Sequence, residues 1–242
     1  MTKSKAVDII FENDDFVALN KASGMLTIPD RHNEALPSLY KYLQDQYGKI
    51  FIVHRLDRDT TGIVLFAKNE ATHKYLSQLF EQRKIDKFYL GIITGAVNEK
   101  EGTINEPISE HPHNLGMMAV NKKGKASVTD FNVIEDHGIY SLIEFKIHTG
   151  RTHQIRVHMK FAGHPIICDP LYGDGKPVLL SSFKKKYKLS QHDEEERPMI
   201  SRLALHSYKL AFKDAHGKDY TLEAPLPKDM RALLQQLKKQ RK

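Results

Sequence analysis

The sequence lacks any apolar run long enough to cross a bilayer, and its polar start, MTKSKAVD, lacks the hydrophobic stretch of a secretory signal. It also has a single cysteine, Cys168, which excludes an internal disulfide and a multi-cysteine zinc site. We expect this thiol to be buried and unreactive. These absences indicate a cytoplasmic protein whose fold depends on packing and hydrogen bonds.

Three sequence motifs of common enzyme classes are also missing. The chain contains no G-x-x-x-x-G-K-[ST], no G-x-G-x-x-G after a strand and no G-x-S-x-G, so ATP, dinucleotide and serine-hydrolase chemistry have no motif support. Histidines are numerous, but His153 and His158 are five residues apart, which places them on different sides of a helix. We therefore expect neither a cofactor nor a metal.

The composition is that of a globular protein with an excess of positive charge. At 242 residues and 40% hydrophobic content the chain can bury a substantial core. Lys and Arg number 37 against 30 for Asp and Glu, a formal charge of +7, which favours nucleic acid as a partner. Part of this excess lies in residues 184–186 and in a basic tail at 238–242, and either segment can equally be a solvated surface.

Hydrophobic periodicity and turn residues predict an α+β fold with a largely antiparallel sheet, flanking helices and loops, because most adjoining strands read as hairpins. We expect one domain over residues 1–242, present as a monomer, with a mobile surface loop at 181–201. The elements predicted are strands on both sides of 13–15, a helix ended by Gly48, a doubly covered strand at 63–67, a helix capped by Asn69, a strand ended by Gly95, a hairpin at Gly138, a helix closed by Gly163, a hairpin at 216–217 and a final helix through Met230 and Leu237.

The stretch VHRLDRDTTGIVLFAKN, residues 53–69, places Asp57 between Arg55 and Arg58 and just ahead of a buried strand. The positive neighbours favour an ionised carboxylate, which can act as a nucleophile or a base. Alternatively, Asp57 or Asp59 only caps the Thr-Thr-Gly turn by accepting backbone N–H groups. Spacing alone does not separate these two interpretations.

A second stretch, HTGRTHQIRVH at 148–158, resembles the start of a helix that Thr149 or Thr152 can cap. Its positive end, with Arg151 and Arg156, offers a site for a carboxylate or a phosphate. An arginine buried beside Ile155 would need an anionic partner, and Asp57 is the candidate. The alternative is that both arginines face solvent, with or without contacts to phosphate.

Four motifs in this order, HRLDRDTTG, KFYLGIITG, HTGRTHQIRVHMKFAGHPIICDPLYG and RLALHSYKLAF, resemble the RluA-type RNA pseudouridine synthase family from about Phe16 to Leu226. Two departures are Thr61, where serine is more usual, and the absence before Val7 of the small RNA-binding domain that many relatives carry. The resemblance implies the catalytic fold of that family and isomerisation of uridine in ribosomal or transfer RNA, without cofactor or metal.

The resemblance also implies roles for individual residues. Asp57 matches the catalytic aspartate, Tyr89 the active-site tyrosine, and Arg156 the arginine that pairs with the aspartate. Arg55 matches a position that holds the RNA around an extracted nucleotide, and we expect Arg151, His153 and Gln154 to contact the substrate as well. Without the resemblance, we would expect Tyr89 to be part of the hydrophobic core.

Two other functions are compatible with the same features. A non-catalytic RNA-binding or ribosome-assembly protein would keep the fold and the charge without turnover. A carboxylate-based glycoside hydrolase would need a second, acidic carboxyl group, for which Asp59 is the nearby candidate.

Overall fold

The computed structural model describes residues 7–30, 33, 35–189 and 194–240. Within these residues the regular elements, in chain order, are β1 (Asp8–Glu12), β2 (Phe16–Lys21), α1 (Leu39–Tyr47), β3 (Phe51–Ile52), β4 (Thr61–Ala67), α2 (Glu70–Glu81), β5 (Asp86–Thr94), β6 (Glu101–Asn105), β7 (Ile108–Glu110), β8 (Met118–Val120), β9 (Val128–Asp136), β10 (Tyr140–Ile147), α3 (Gln154–Phe161), β11 (Leu205–Lys213), β12 (Asp219–Glu223) and α4 (Lys228–Gln240). A short 3-10 turn occupies Leu180–Ser182.

The chain divides into two compact units. The first unit comprises Met1–Tyr89 and Ser207–Pro225, and the second comprises Leu90–His206 and Leu226–Lys242. The backbone passes from the first unit to the second within β5, returns to the first within β11 and passes to the second again after Pro225.

The first unit is built on antiparallel strand pairs. β2 lies between β1 and β4, β3 pairs with the end of β4, and β11 pairs with β12. All seven residues of β4 are buried, which confirms the prediction of a strand covered on both faces. The core of this unit includes Phe16, Ile63, Leu65, Leu76 and Phe212, together with the ring of Tyr220. Burial of each such side chain contributes roughly 1.5–3 kcal/mol.

Helix α2 begins where the sequence predicts. The Asn69 side chain accepts a hydrogen bond from the backbone N–H of Thr72 at 2.8 Å, and Glu70 lies in the first turn. Such a cap stabilises a helix by about 1 kcal/mol. The helix packs its buried Leu76 and Leu79 into the core and ends at Glu81, at the start of the turn that leads into β5.

The second unit contains antiparallel strand pairs in which β9 lies between β10 and β6. β7 and β8 form a separate two-stranded ribbon, and Ile108 of this ribbon packs with Val157 of α3 and with Tyr172. The ribbon and β6 were not predicted. The final helix α4 buries the apolar stripe expected of it, which comprises Met230, Leu233, Leu234 and Leu237.

Three sequence-based expectations concern loops and termini of this unit. Cys168 is buried, as expected, and burial raises the pKa of its thiol to about 11. Lys238, in the predicted basic tail, belongs to α4 and pairs with Glu135 at 2.7 Å, while residues 241 and 242 lie outside the described residues. Residues 190–193 of the predicted mobile loop also lie outside them.

The antiparallel strand pairs and flanking helices confirm the predicted α+β class. None of the described helices has the length and apolar character needed to cross a membrane.

Candidate active site

The loop at residues 53–60, which carries Asp57, is fixed to the core of the first unit by His54. The Nε2 atom of His54 accepts a hydrogen bond from the backbone N–H of Leu65 at 2.9 Å. The ring thus accepts a hydrogen bond that a backbone carbonyl of a neighbouring strand would otherwise accept from β4. The ring also stacks on Phe80 with centroids 4.4 Å apart. Burial, and then the charge of Lys87, lower the pKa of His54 to about 3. The imidazole is therefore neutral, as an acceptor must be.

A second segment, residues 21–27, also holds this loop. Lys21 is 1% exposed, and its ammonium donates to the carbonyl of Arg58 at 2.6 Å. Gly24 N donates to the Arg58 carbonyl at 3.0 Å, and Ser23 Oγ donates to the Asp59 carbonyl at 3.1 Å. Thr27 Oγ1 accepts the N–H of Leu56 at 3.2 Å and donates to the Leu56 carbonyl at 3.1 Å. Backbone carbonyls of residues 56–59 thus have defined partners, and the loop is preorganised.

Asp57 and Tyr89 lie within electrostatic reach of each other in the first unit. Asp57 is partly buried, and its main-chain carbonyl accepts the N–H of Thr60 at 3.2 Å, which closes a turn. Tyr89, in β5, is 8% exposed. Burial raises the pKa of the Tyr89 phenol well above its ordinary value, and the negative charge of Asp57 adds to that rise. The carboxyl group of Asp57 therefore lies near the phenol of Tyr89, which keeps its proton.

Gly62 explains why a glycine follows the two threonines. Its φ is +109°, and a Cβ atom at this position would overlap the main-chain carbonyl of Ser207. Only glycine allows β4 and β11 to approach this closely directly after the loop. Thr60 and Thr61 are both buried. The Thr-Thr-Gly sequence is therefore determined by packing of the strand that supports the loop.

The arginines beside Asp57 differ in their surroundings. Arg55 has an exposed side chain, as a contact to a large ligand requires. Arg58 Nε donates to Asp59 Oδ1 at 3.2 Å, so Asp59 has a basic neighbour of its own. This ion pair engages the carboxyl group that a glycoside hydrolase would need as its second, acidic group.

Arg156 lies in the second unit and is 3% exposed. Its Nε and Nη2 atoms donate to Asp169 Oδ2 and Oδ1, each at 2.7 Å, and Asp169 is fully buried. The backbone N–H groups of Leu171 and Tyr172 donate to the same carboxylate, and the Tyr172 ring lies 5.0 Å from the guanidinium carbon. Arg156 is therefore held rigidly by a partner that was not predicted. Its pairing with Asp57 stays a prediction.

Gln154 belongs to a buried network of the second unit. Its Oε1 accepts from Thr149 Oγ1 at 2.7 Å and from Arg151 N at 3.1 Å, and its Nε2 donates to the Val128 carbonyl and to Thr129 Oγ1, both at 2.9 Å. Gln154 is 3% exposed. Both ends of the amide bond within the protein, so Gln154 positions the 149–154 turn. Its contact with the substrate stays a prediction.

His158 continues the network from helix α3. Its ring is fully buried, with Nδ1 2.9 Å from Thr129 Oγ1 and Nε2 3.0 Å from the Glu106 carbonyl. A carbonyl can only accept, so Nε2 carries the proton and Nδ1 accepts from the threonine. Burial lowers the pKa of His158, which keeps the ring neutral. This histidine ties α3 to β9.

The cap of α3 differs from the prediction. The N-cap residue is His153, with φ +56° and no side-chain cap bond, and neither Thr149 nor Thr152 fills that position. Thr149 donates to Gln154 instead. The His153 ring is fixed by a contact of 2.8 Å between Nδ1 and the Tyr172 hydroxyl, which also accepts the N–H of Met118. A non-glycine residue in the left-handed region is a site of backbone strain, which is typical of functional positions.

Arg151 remains partly exposed and bonds through Nε to the Ala126 carbonyl at 3.2 Å. Within the described part of the chain, no group of three or more His, Cys, Asp or Glu side chains could hold a metal ion. The predicted residues thus fall into two sets. Arg55, Asp57 and Tyr89 lie in the first unit, and Arg151, His153, Gln154 and Arg156 lie in the second.

Comparison with known proteins adds an independent line of evidence. Residues 15–161 match the family model described as RNA pseudouridylate synthase. The chain is 35% identical over 236 residues to ribosomal large subunit pseudouridine synthase D of Nitrosomonas europaea, an alignment that covers 95% of the chain and 65% of that relative. It is 32% identical over 242 residues to YlyB of Bacillus subtilis, described as an uncharacterized RNA pseudouridine synthase, and covers 73% of it.

The fold is also that of a solved structure. Human RNA pseudouridylate synthase domain containing 4 superposes with a TM-score of 0.72 over 96% of the chain and 93% of the human chain, at 22% identity. This likeness concerns the fold alone. The chain spans slightly less than two thirds of the synthase D relative's length.

Proposed function

The chain belongs to the RNA pseudouridylate synthase family, and from that premise we propose that it isomerises uridines in RNA to pseudouridine. The reaction breaks the bond between ribose C1′ and uracil N1, turns the base and rejoins it through C5. It needs no redox step and no external energy source. The observation that carries the proposal is Asp57 on a preorganised loop, close enough for its charge to act on the buried Tyr89.

Asp57 has the chemistry that the bond-breaking step needs. The detaching ribose develops positive charge, which an ionised carboxylate can stabilise, trap covalently or relieve by removing a proton. The bonds from His54 and Lys21 hold the loop of Asp57 before substrate binds, so little reorganisation is required during the reaction.

Tyr89 has the position and protonation state for the later steps. Its phenol stays protonated at neutral pH because burial and the charge of Asp57 raise its pKa. We propose that the ring stacks on the released uracil and takes part in proton transfer at C5. Arg156, held by Asp169, would pair with Asp57 and keep it charged and oriented.

The substrate is proposed to be a uridine extruded from ribosomal or transfer RNA. A base inside a helix hides both reacting carbons, so the nucleotide must leave the stack. Arg55, Arg151 and the net charge of +7 fit the task of holding the surrounding phosphates. The name of the Nitrosomonas relative, a ribosomal large subunit enzyme, favours ribosomal RNA. We further propose that the enzyme acts as a monomer in the cytoplasm.

The decisive experiment compares the wild type with Asp57→Asn. We expect the variant to form no pseudouridine in RNA from cells that lack this protein, while its affinity for the same RNA stays within a few-fold. Pseudouridines are mapped by a chemistry that marks only this base. A wild type without turnover would favour a non-catalytic RNA-binding protein, and an active Asp57→Asn variant would remove Asp57 from the mechanism.

A further inference from the structure

Lys87 is a buried cation that none of the roles above uses. It lies in β5 and is 8% exposed, although lysine is rarely buried unless it is paired. Within the described residues, its ammonium makes no hydrogen bond and no ion pair. The side chain nevertheless keeps a small exposed fraction.

The surroundings of Lys87 add to the positive charge. Arg83, in the turn after α2, is the charged neighbour that acts on Lys87, and it has the same sign. His54 is close enough for the charge of Lys87 to affect it, and its neutral ring brings no negative charge. Burial, followed by Arg83, lowers the pKa of the Lys87 ammonium. An uncompensated cation in such a place costs folding free energy, so a counter-charge is missing from the free protein.

The last carbonyl groups of α2 already have backbone partners. The carbonyls of Gln78, Leu79 and Phe80 accept the backbone N–H groups of residues 82, 84 and 83, at 2.8, 2.9 and 3.2 Å. The end of the helix is therefore satisfied by its own turn.

Lys87 is also placed beside the proposed reaction centre. Residues 87 and 89 are two apart in one strand, so their side chains point to the same face, with Cα atoms about 7 Å apart. His54 lies within the range of the Lys87 charge and three residues before Asp57 in the loop. An anion bound at Lys87 would therefore lie next to the nucleotide that Asp57 and Tyr89 would hold.

We propose that Lys87, with Arg83 at its rim, binds one phosphate of the RNA backbone next to the extruded uridine. This inference rests on the proposed function for the identity of the anion. A phosphate supplies the missing negative charge, and the compact ammonium of lysine suits a single phosphate oxygen. Binding of RNA then compensates a cation that the free protein holds at a cost, so the contact contributes to binding only when the backbone is correctly placed.

The structural alternative is that Lys87 only covers apolar surface with its aliphatic stem. Lys87→Met tests it, because methionine keeps most of the stem and loses the charge. Lys74→Met is the matched control, since Lys74 lies on the exposed side of α2 in the same unit. Both are made in the Asp57→Asn background, so that binding is measured without turnover.

Binding of a twelve-nucleotide oligouridylate is measured as a function of salt concentration. For Lys87→Met we expect about tenfold weaker binding at low salt and a slope of log K against log salt reduced by about 0.7, the contribution of one phosphate on a single strand. Lys87→Arg should restore most of the slope, and Lys74→Met should leave it unchanged. An unchanged slope for Lys87→Met would refute the proposal.

Two further measurements keep the result independent of turnover and of folding defects. Lys87→Met should raise the thermal midpoint of the free protein, because it removes an ammonium group that Arg83 repels. A lowered midpoint would contradict an uncompensated cation at this position. In that case the binding test is repeated with Lys87→Gln. Inorganic phosphate should raise the pKa of Lys87 in an NMR titration, and no response would argue against an anion site. Failure of the wild type to form pseudouridine would overturn the proposed function without affecting these readouts.

Discussion

Replacing His54 by phenylalanine tests whether the loop of Asp57 depends on a neutral histidine. The ring still stacks on Phe80, but the N–H of Leu65 loses its acceptor. A buried donor without a partner costs about 1–3 kcal/mol. We therefore expect His54→Phe to reduce the free energy of unfolding by this amount at pH 7.5.

The same histidine gives the wild type a pH dependence that the variant lacks. The pKa of His54 is about 3 in the folded protein, against an ordinary value of 6.5 for histidine. Below pH 6.5 the unfolded chain binds a proton that the folded chain does not, so stability present above that pH is lost as the pH falls toward 3. Each pH unit in this window removes about 1.4 kcal/mol, so at pH 5 the wild type loses about 2 kcal/mol through this group.

The assay is urea unfolding followed by circular dichroism, for both proteins at pH 7.5 and pH 5. The difference in stability between wild type and His54→Phe should shrink by about 2 kcal/mol at the lower pH. Other titrating groups are common to both proteins and cancel in the difference. Two stability curves that run parallel across this range would refute the neutral, acceptor role of His54.

Two other substitutions test the supports of the site. Gly62→Ala should lower the thermal midpoint sharply or prevent folding, because φ is +109° and the Cβ would meet the Ser207 carbonyl. Gly138→Ala is the control: its φ is also positive but the space around it is open, so the thermal midpoint should fall much less. Equal effects would refute the close approach of Gly62 to Ser207. Asp169→Asn should lower stability by about 3–5 kcal/mol, because the buried guanidinium of Arg156 loses the charge of Asp169, and it should reduce turnover more than RNA affinity. Thermal melts and single-turnover assays of pseudouridine formation check both effects. An equally stable, fully active variant would contradict the positioning of Arg156 by Asp169.

Much of the fold could be predicted because the relevant signals are local. The uniformly apolar run from Ile63 to Ala67 gave a fully buried strand, and Asn69 was identified as the cap of α2 because its side chain bonds three residues ahead. Positive φ values at Gly48, Gly95, Gly138 and Gly163 agree with the predicted ends of elements. Signals of this kind involve neighbours a few residues apart.

The supports of the candidate site could not be predicted, because they join distant residues. Arg156 was expected to need an anion, but nothing in its spacing pointed to Asp169, thirteen residues later. The cap of α3 was assigned to a threonine by propensity, and the network around Gln154 overrides that propensity by using Thr149 as a donor. Lys87 was overlooked because a lysine at the start of a strand is normally expected to be exposed to solvent. Only the structure shows that its side chain is buried.

The division of the chain has a consequence for synthesis on the ribosome. The first unit needs Leu210, Phe212, Tyr220 and Leu222 to complete a core that otherwise comes from residues before Tyr89. Over a hundred residues that belong to the second unit are translated in between. The segment before Tyr89 therefore cannot close its core until the strands at residues 205–223 have emerged, and apolar strands such as β4 must be shielded from aggregation during that delay.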